Sequence, residues 1–179
     1  NFSQFFSHIL ENYVWKKEPL ELIGKHFETG ETIPAELINK IVAAKNVNSG
    51  NKELQQVLYA LYDLTLNDRF DPDGKESTTD LFKRLANQIT LFPFQESTHQ
   101  EASSKFLNIH WAAFYEYKLL EVYAHDIFSV FEKEGILSSK IGKRYREMIL
   151  ERGGTKDQTE LVSEFLGRKP NSNAFLKNL

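Results

Sequence analysis

The chain has 179 residues, 41% of them hydrophobic, which suits one domain with a substantial core and is short for two. Its formal net charge of −3 and pI near 6.0 argue against a nucleic-acid-binding surface, which needs clustered Lys and Arg. The absence of Cys excludes disulfides, thiolate metal sites and cysteine nucleophiles, and no apolar run is long enough to predict a membrane span. A cytosolic and an organellar location are both compatible with this composition.

Helical spacing of apolar residues dominates the first half of the chain. Residues 1–18 carry an unusually aromatic apolar face, which predicts an amphipathic helix ended by Pro19. Further helices are predicted over residues 20–27, from Pro34 to a turn at 46–50, over 51–67, and through Leu81 to Ile89. The segment 69–78 holds Pro72 and Gly74 among charged residues and predicts a surface loop. Ser77 to Thr79 offer hydroxyls that can cap the helix that follows.

The second half is organised around a long aromatic segment, Lys105 to Phe131, which contains no Gly or Pro. Its apolar residues recur at helical spacing, which predicts a central helix. They are Trp111, Phe114, Tyr115, Leu119, Val122, Tyr123, Ile127, Val130 and Phe131. The segment before it, 90–104, is predicted to be irregular.

Two shorter helices and a last helical turn are expected after the central helix. Gly135 ends the central helix, and Ser138 or Ser139 can cap the next one, which stops at Gly153-Gly154. Thr155 and Gln158 have the spacing of a capping box for a further helix, which Pro170 ends. Because no strand with alternating polarity is found, the sequence predicts an all-α single multi-helix domain over residues 1–179, with roughly eight helices.

Motifs for metal hydrolysis are missing from the chain. A helical zinc protease needs two His one turn apart and a Glu, as in H-E-x-x-H, and no two of the five His are four residues apart. Glu121 and His125 have the spacing for a weak metal pair, although a hydrogen bond on the helix surface is the simpler interpretation. The run from Asp71 to Gly74 lacks the spaced ligands of an EF-hand and is interpreted as a turn.

Two long runs resemble a known family. EVYAHDIFSVFEKEGIL from Glu121, with the remainder of the chain, resembles the C-terminal end of the M3 family of zinc oligopeptidases, the thimet oligopeptidase and oligopeptidase A group. LENYVWKKEPLELIGKHFETGETIP from Leu10 resembles the family segment just downstream of its zinc site. The resemblance covers nearly the whole chain, and implies the mostly helical C-terminal part of a longer, two-lobed enzyme.

The residues that the resemblance assigns to zinc differ in this chain. The H-E-x-x-H helix of the family would lie upstream of Asn1, and the missing initiator Met suggests a processed, trimmed or partial chain. The third zinc ligand of relatives is a Glu in a segment resembling F-x-E-x-P-S-Q. Here NFSQFFSH places Gln4 at that position, so we expect no metal site within this chain. Zinc is expected as a cofactor only if the upstream part of the family sequence exists.

The substrate-binding residues implied by the resemblance are also mostly replaced. Relatives carry a loop of the form H-x-x-G-G-Y-x-x-x-Y-x-x-Y, whose His and Tyr bind substrate and stabilise the oxyanion. The corresponding residues here are Lys105, Asn108, Ile109, His110, Phe114 and Tyr117. Only the last Tyr is retained, and Phe114 keeps an aromatic ring without the hydroxyl donor.

Three functions follow as hypotheses. The first is a non-catalytic structural or interaction subunit derived from an M3 peptidase. The second is a binding module that holds a peptide or an apolar ligand in the former cleft, lined by Phe5, Phe6, Trp111, Phe114 and Tyr117. The third is the C-terminal piece of a working zinc oligopeptidase completed by another part. The aromatic face of the first helix further predicts a protein partner or a homo-oligomer.

Overall fold

The computed structural model describes residues 2–92, 94–95, 98–103 and 111–179, with only the backbone described for Phe2 and Ser3. These residues form an all-α fold, as predicted, with one isolated antiparallel bridge between Lys25 and Thr32 and no strand in the described ranges. The α-helices are α1 Phe2–Tyr13, α2 Lys17–Ile23, α3 Ala35–Ala44, α4 Ser49–Asp68, α5 Thr78–Ile89, α6 Gln100–Ser103, α7 Glu116–Glu134, α8 Ser139–Tyr145, α9 Gln158–Leu166 and α10 Asn173–Lys177. A π-helical segment, Arg146–Leu150, follows α8, and a 3₁₀ turn covers Gly153–Thr155.

The chain divides into two compact units. Unit 1 comprises Asn1–Val47 and Leu119–Leu179, and unit 2 comprises Asn48–Lys118. None of the described helices is both long and apolar enough to cross a bilayer.

Unit 1 is built on an aromatic and aliphatic core contributed mainly by α1, the buried face of α7, α8 and α9. The buried side chains are Phe5, Ile9, Leu120, Ala124, Ile127, Phe128, Phe131, Ile141, Ile149, Leu161, Val162 and Phe165. The rings of Tyr13 and Phe128 meet edge-on at 5.0 Å between centroids, whereas those of Phe128 and Phe131 are stacked. This packing orders the faces of α1 and α7 on which several predicted site residues lie.

Unit 2 has a smaller core between α4, α5 and the segment that leads into α7. Its buried members are Leu58, Tyr62, Leu81, Phe82, Leu85, Ala86 and Phe114. Ser77 caps α5 as predicted: its hydroxyl accepts a hydrogen bond from Asp80 N, and the Asp80 carboxylate accepts one from Ser77 N. The clear helix predicted over 51–67 is confirmed as α4.

The central helix begins later than the sequence predicted. It starts at Glu116, because Trp111 and Ala112 adopt positive φ angles of 36° and 67°, which a right-handed helix excludes. Residues 105–110 of the predicted helix lie outside the described part of the chain. The buried face is also rotated by about one position, since Leu119 is 39% exposed whereas Leu120 is buried.

Two predicted helix boundaries were wrong for local reasons. α1 ends at Tyr13 in a tight turn, in which Lys16 N donates to Tyr13 O, and Pro19 lies in the first turn of α2. Pro is tolerated there because the first N–H groups of a helix have no intrahelical acceptor. The cap of α9 is Asp157, whose carboxylate accepts from Thr159 N and Glu160 N, whereas Thr155 lies in the preceding 3₁₀ turn.

Candidate functional site

Gln4 lies on α1 in unit 1, where the resemblance places the third zinc ligand. Its side chain is half-buried, and its Oε1 atom is fully buried without a hydrogen-bond donor among the described residues. Leaving a buried amide oxygen unpaired costs free energy. The carbonyl oxygen therefore offers an acceptor, while the neutral amide brings none of the negative charge that a dication needs.

The described residues do not fit a zinc site. No group of three or more His, Asp or Glu side chains within these ranges is arranged to hold a metal ion. Glu121 and His125 have the spacing of a helical metal pair, but they do not belong to any such group of three. The described residues alone therefore do not supply the set of charged and imidazole ligands that a zinc site uses.

Phe5 and Phe6, which were predicted to line a cleft, belong to the hydrophobic core of unit 1. Phe5 is completely buried, Phe6 packs against the same core, and their rings meet edge-on at 5.8 Å. The burial of Phe5 also removes it from the exposed aromatic face on which the prediction of an oligomer was based. A cleft-lining role for these rings stays a prediction.

Phe114 and Tyr117 pack within the core of unit 2. The Phe114 ring lies 5.9 Å from Tyr59 and 5.3 Å from Tyr117, measured between centroids. Trp111 is 79% exposed, so it is the accessible aromatic residue of this group. The other two predicted substrate positions, Lys105 and His110, lie outside the described residues.

A buried carboxylate fixes the turn that carries these aromatic residues. Asp63 of α4 is 1% exposed, and its two oxygen atoms accept hydrogen bonds from Ala112 N at 3.1 Å and Phe114 N at 3.0 Å. Asn67 Nδ2 donates a third bond at 3.2 Å. These hydrogen bonds offset the free-energy cost of burying the carboxylate and the cost of the strained φ angles at residues 111 and 112.

Sequence reasoning missed Asp63, although a signal was present. In the run LYALYDLTL the Asp lies one turn from Tyr59 and next to Tyr62, so it shares the apolar face of a clear helix. An acidic residue at such a position is buried only when donors satisfy it. The helical pattern does not predict which donors satisfy Asp63, because they lie 49 and 51 residues further along the chain.

A small polar cavity lies within unit 1, between α1, the end of α3 and α7. Its volume is about 70 Å³, and its ionisable lining residues are His8, Glu11, Lys45, Glu121 and His125. Nearby, Asn12 Nδ2 donates to His8 O at 2.8 Å. Glu121 and His125, interpreted from sequence as a pair on the helix surface, therefore line the same polar cavity.

The cavity disfavours positive charge on His125 and Lys45. Burial lowers the pKa of His125, and the positive charge of Lys45 lowers it further, against smaller opposing effects of Glu121 and Glu132. Burial likewise lowers the pKa of Lys45, helped by the charge of Lys16. The cavity is thus a place where protonation is costly, and it lacks the geometry of a metal site.

Comparisons with known proteins give a consistent relationship. The chain is 32% identical to the Thimet-like oligopeptidase of Dictyostelium discoideum over 97% of its own length, and 33% identical to Oligopeptidase A of Escherichia coli (strain K12) over 96%. It is 34% identical to Organellar oligopeptidase A, chloroplastic/mitochondrial, of Arabidopsis thaliana over 96%. The chain spans 26%, 26% and 22% of these relatives, about a quarter of their length. Because the profile of Peptidase family M3 matches residues 1–179 in full, the chain belongs to that family.

Proposed function

We propose that the chain forms part of an M3-family protein that does not hydrolyse peptides, and that it acts as a helical structural or interaction subunit. The observation that carries this proposal is Gln4, a neutral amide at the position that the resemblance assigns to a zinc-binding Glu. Replacing a carboxylate ligand by an amide removes the negative charge that offsets the dication. We expect the zinc affinity of a site built with Gln4 to be much reduced.

The substrate side supports the same proposal. Phe114 occupies a position given to a Tyr donor by the resemblance, and its ring is 6% exposed in the core of unit 2. A ring without a hydroxyl group keeps the packing and cannot donate a hydrogen bond to a developing oxyanion. The packing role of the former substrate segment therefore persists without its transition-state role.

Two alternatives each have an observation in their favour. The exposed ring of Trp111 beside the packed rings of Phe114 and Tyr117 favours a binding module for a peptide or an apolar ligand. The match to about a quarter of each relative favours a C-terminal piece of a longer peptidase, completed by residues not in this chain. With either alternative, as with the main proposal, we propose that the chain binds a protein partner or forms a homo-oligomer.

The test compares zinc content and peptide cleavage in the complete protein that carries this chain. We expect substoichiometric zinc and no zinc-dependent cleavage of a quenched fluorescent peptide. A Gln4→Glu variant should raise the zinc content if the remaining ligands exist, because it restores the charged oxygen ligand. Gln88→Glu is the matched control, since Gln88 lies exposed on α5 and the same change there should leave zinc content unaltered. Zinc-dependent cleavage by the unmodified protein would refute the proposal.

A further inference from the structure

The polar cavity of unit 1 is lined by a lysine that none of the proposed functions uses. Lys45 follows the last residue of α3, and its backbone is still helical, with Lys45 N donating to Val42 O at 3.2 Å. Its half-buried side chain lines the cavity. Lys45 forms an ion pair with none of the described residues, whereas Lys40 of the same helix is exposed and pairs with Glu36 at 2.7 Å. No carboxylate contact therefore holds Lys45 in its charged form.

The surroundings of Lys45 favour its neutral amine, which is the nucleophilic form of a lysine. Burial lowers the pKa of Lys45, and the positive charge of Lys16 lowers it further. The carboxylates of Glu132, Glu11 and Glu121 oppose this shift without reversing it. Among the described lysines, Lys45 alone has a lowered pKa. More of its amine is therefore neutral near pH 8 than in an exposed lysine.

The cavity also supplies room beside the amine and a group that can accept a proton. A single water molecule needs about 10 to 15 Å³ of such space, so the cavity of about 70 Å³ has room for a small acyl group such as acetyl. His125 lines the same cavity, and burial together with the charge of Lys45 holds its pKa low. Its imidazole is therefore neutral near pH 8, and one ring nitrogen can accept a proton.

We propose that Lys45 is a site of acylation by a small, neutral acyl thioester. The amine lone pair of Lys45 attacks the thioester carbonyl carbon, so that an N–C bond forms and the C–S bond breaks. His125 accepts the proton that the nitrogen loses and passes it to the departing thiolate, and the products are an amide and a thiol. Because Glu11 and Glu121 line the cavity, it disfavours an anionic donor such as an acyl phosphate. This reaction does not depend on whether the protein hydrolyses peptides.

Acetylation measured at each lysine tests this proposal. The purified protein is treated with S-acetyl-N-acetylcysteamine, a neutral acetyl thioester, and mass spectrometry of its peptides follows each site. We expect Lys45 to react several-fold faster than Lys40 near pH 8, and the ratio to fall as the pH approaches about 10.4, the ordinary pKa of Lys, because both amines are then largely neutral. In guanidinium chloride the two rates should be similar. Equal rates in the folded protein, or a preference for Lys45 that survives unfolding, would overturn the proposal.

Paired variants and a charged donor test the role of the cavity. His125→Gln should slow the acetylation of Lys45 and leave that of Lys40 unchanged, because it removes the proton acceptor. His99→Gln is the matched control, since His99 is exposed and belongs to unit 2. Acetyl phosphate should give a smaller ratio of Lys45 to Lys40 acetylation than the thioester does. The same Lys45 rate in both His variants, with both folded by circular dichroism, would reject the proposed reaction, as would a larger ratio with acetyl phosphate.

Discussion

At the scale of single residues, Asp126 of α7 is a buried carboxylate that accepts several hydrogen bonds. It is 1% exposed, its carboxylate accepts from both terminal nitrogens of Arg168 at 2.5 and 2.8 Å, and it also accepts from Asn171 N at 2.9 Å. The hydrogen bond to Asp126 raises the pKa of the Arg168 guanidinium. The pair ties the segment after α9 to the middle of α7, 42 residues away.

We predict that Asp126→Asn lowers the free energy of unfolding by about 2 to 3 kcal/mol, because it leaves the guanidinium with a neutral partner and loses charge-assisted bonds. Urea denaturation followed by circular dichroism measures the change. Glu36→Gln serves as the control, since Glu36 pairs with Lys40 at 2.7 Å on an exposed face and should matter little. Similar midpoints for the two variants would contradict the structural role of Asp126.

His125 makes unit 1 sensitive to acid. Its pKa in the folded protein is lowered from about 6.5 by burial and by Lys45, so folding favours its neutral form. When the pH falls below the pKa of His125 in the unfolded chain, this side chain binds a proton in the unfolded state while it stays neutral in the folded state. The stabilising contribution is therefore complete above about pH 6.5 and is lost as the pH falls through the lower, folded pKa. Glu121, Glu132 and His8 modulate this shift without reversing it.

We predict that His125→Gln flattens the decline in stability between about pH 7.5 and 5.5, since it removes the group that must be protonated on unfolding. The measurement is urea denaturation at both pH values. His99→Gln is the comparison, because His99 belongs to unit 2 and its side chain is 66% exposed. If the parent protein and His125→Gln lose the same stability on acidification, the cavity does not control the effect.

At the scale of elements, the start of α7 depends on a short strained turn. Ala112 has a φ angle of 67° without being Gly, whereas the neighbouring Ala113 has no positive φ. A left-handed conformation costs an Ala residue roughly 1 kcal/mol that Gly does not pay. The hydrogen bonds to Asp63 hold the turn despite this cost.

The two adjacent alanines give a matched prediction. Ala112→Gly should raise the free energy of unfolding by up to about 1 kcal/mol, because Gly adopts the required φ without strain. Ala113→Gly should lower it by about 0.5 to 1 kcal/mol, since it adds only freedom to the unfolded chain. Thermal and urea unfolding of both variants provide the comparison. Opposite signs are expected, and a loss of stability in both would argue against the strained turn.

At the scale of the whole molecule, the sequence predicted those helices and caps that depend on the local pattern of residues. Periodic apolar residues located α4 and α5, and Ser77, one of the three residues predicted to offer a capping hydroxyl, caps α5. The start of α7 was wrong because nothing local marks Trp111 and Ala112 as residues with positive φ. The turn depends on a distant carboxylate, and helical spacing cannot report such a contact.

For the candidate site, too, the sequence predicted the local features but not those that depend on packing. The resemblance located Gln4 and Phe114, since each occupies a recognisable position within a family segment. The polar cavity at His125 was not predicted, because it is lined by residues from separate helices. Their proximity follows from the packing of α1 with α7, which the order of residues does not specify.

The Asp63 contact also bears on the cooperativity of unit 2. Joining residues 49 and 51 positions apart closes a loop whose entropy cost grows as 1.5RT ln n, about 3.5 kcal/mol plus a constant. Two charge-assisted hydrogen bonds, at about 1.5 to 3 kcal/mol each, roughly offset that cost and leave little surplus. The packing of Phe114 against Tyr59 contributes to the same closure. The hydrogen bonds and the aromatic contacts of unit 2 therefore support each other, because both form only when this loop is closed.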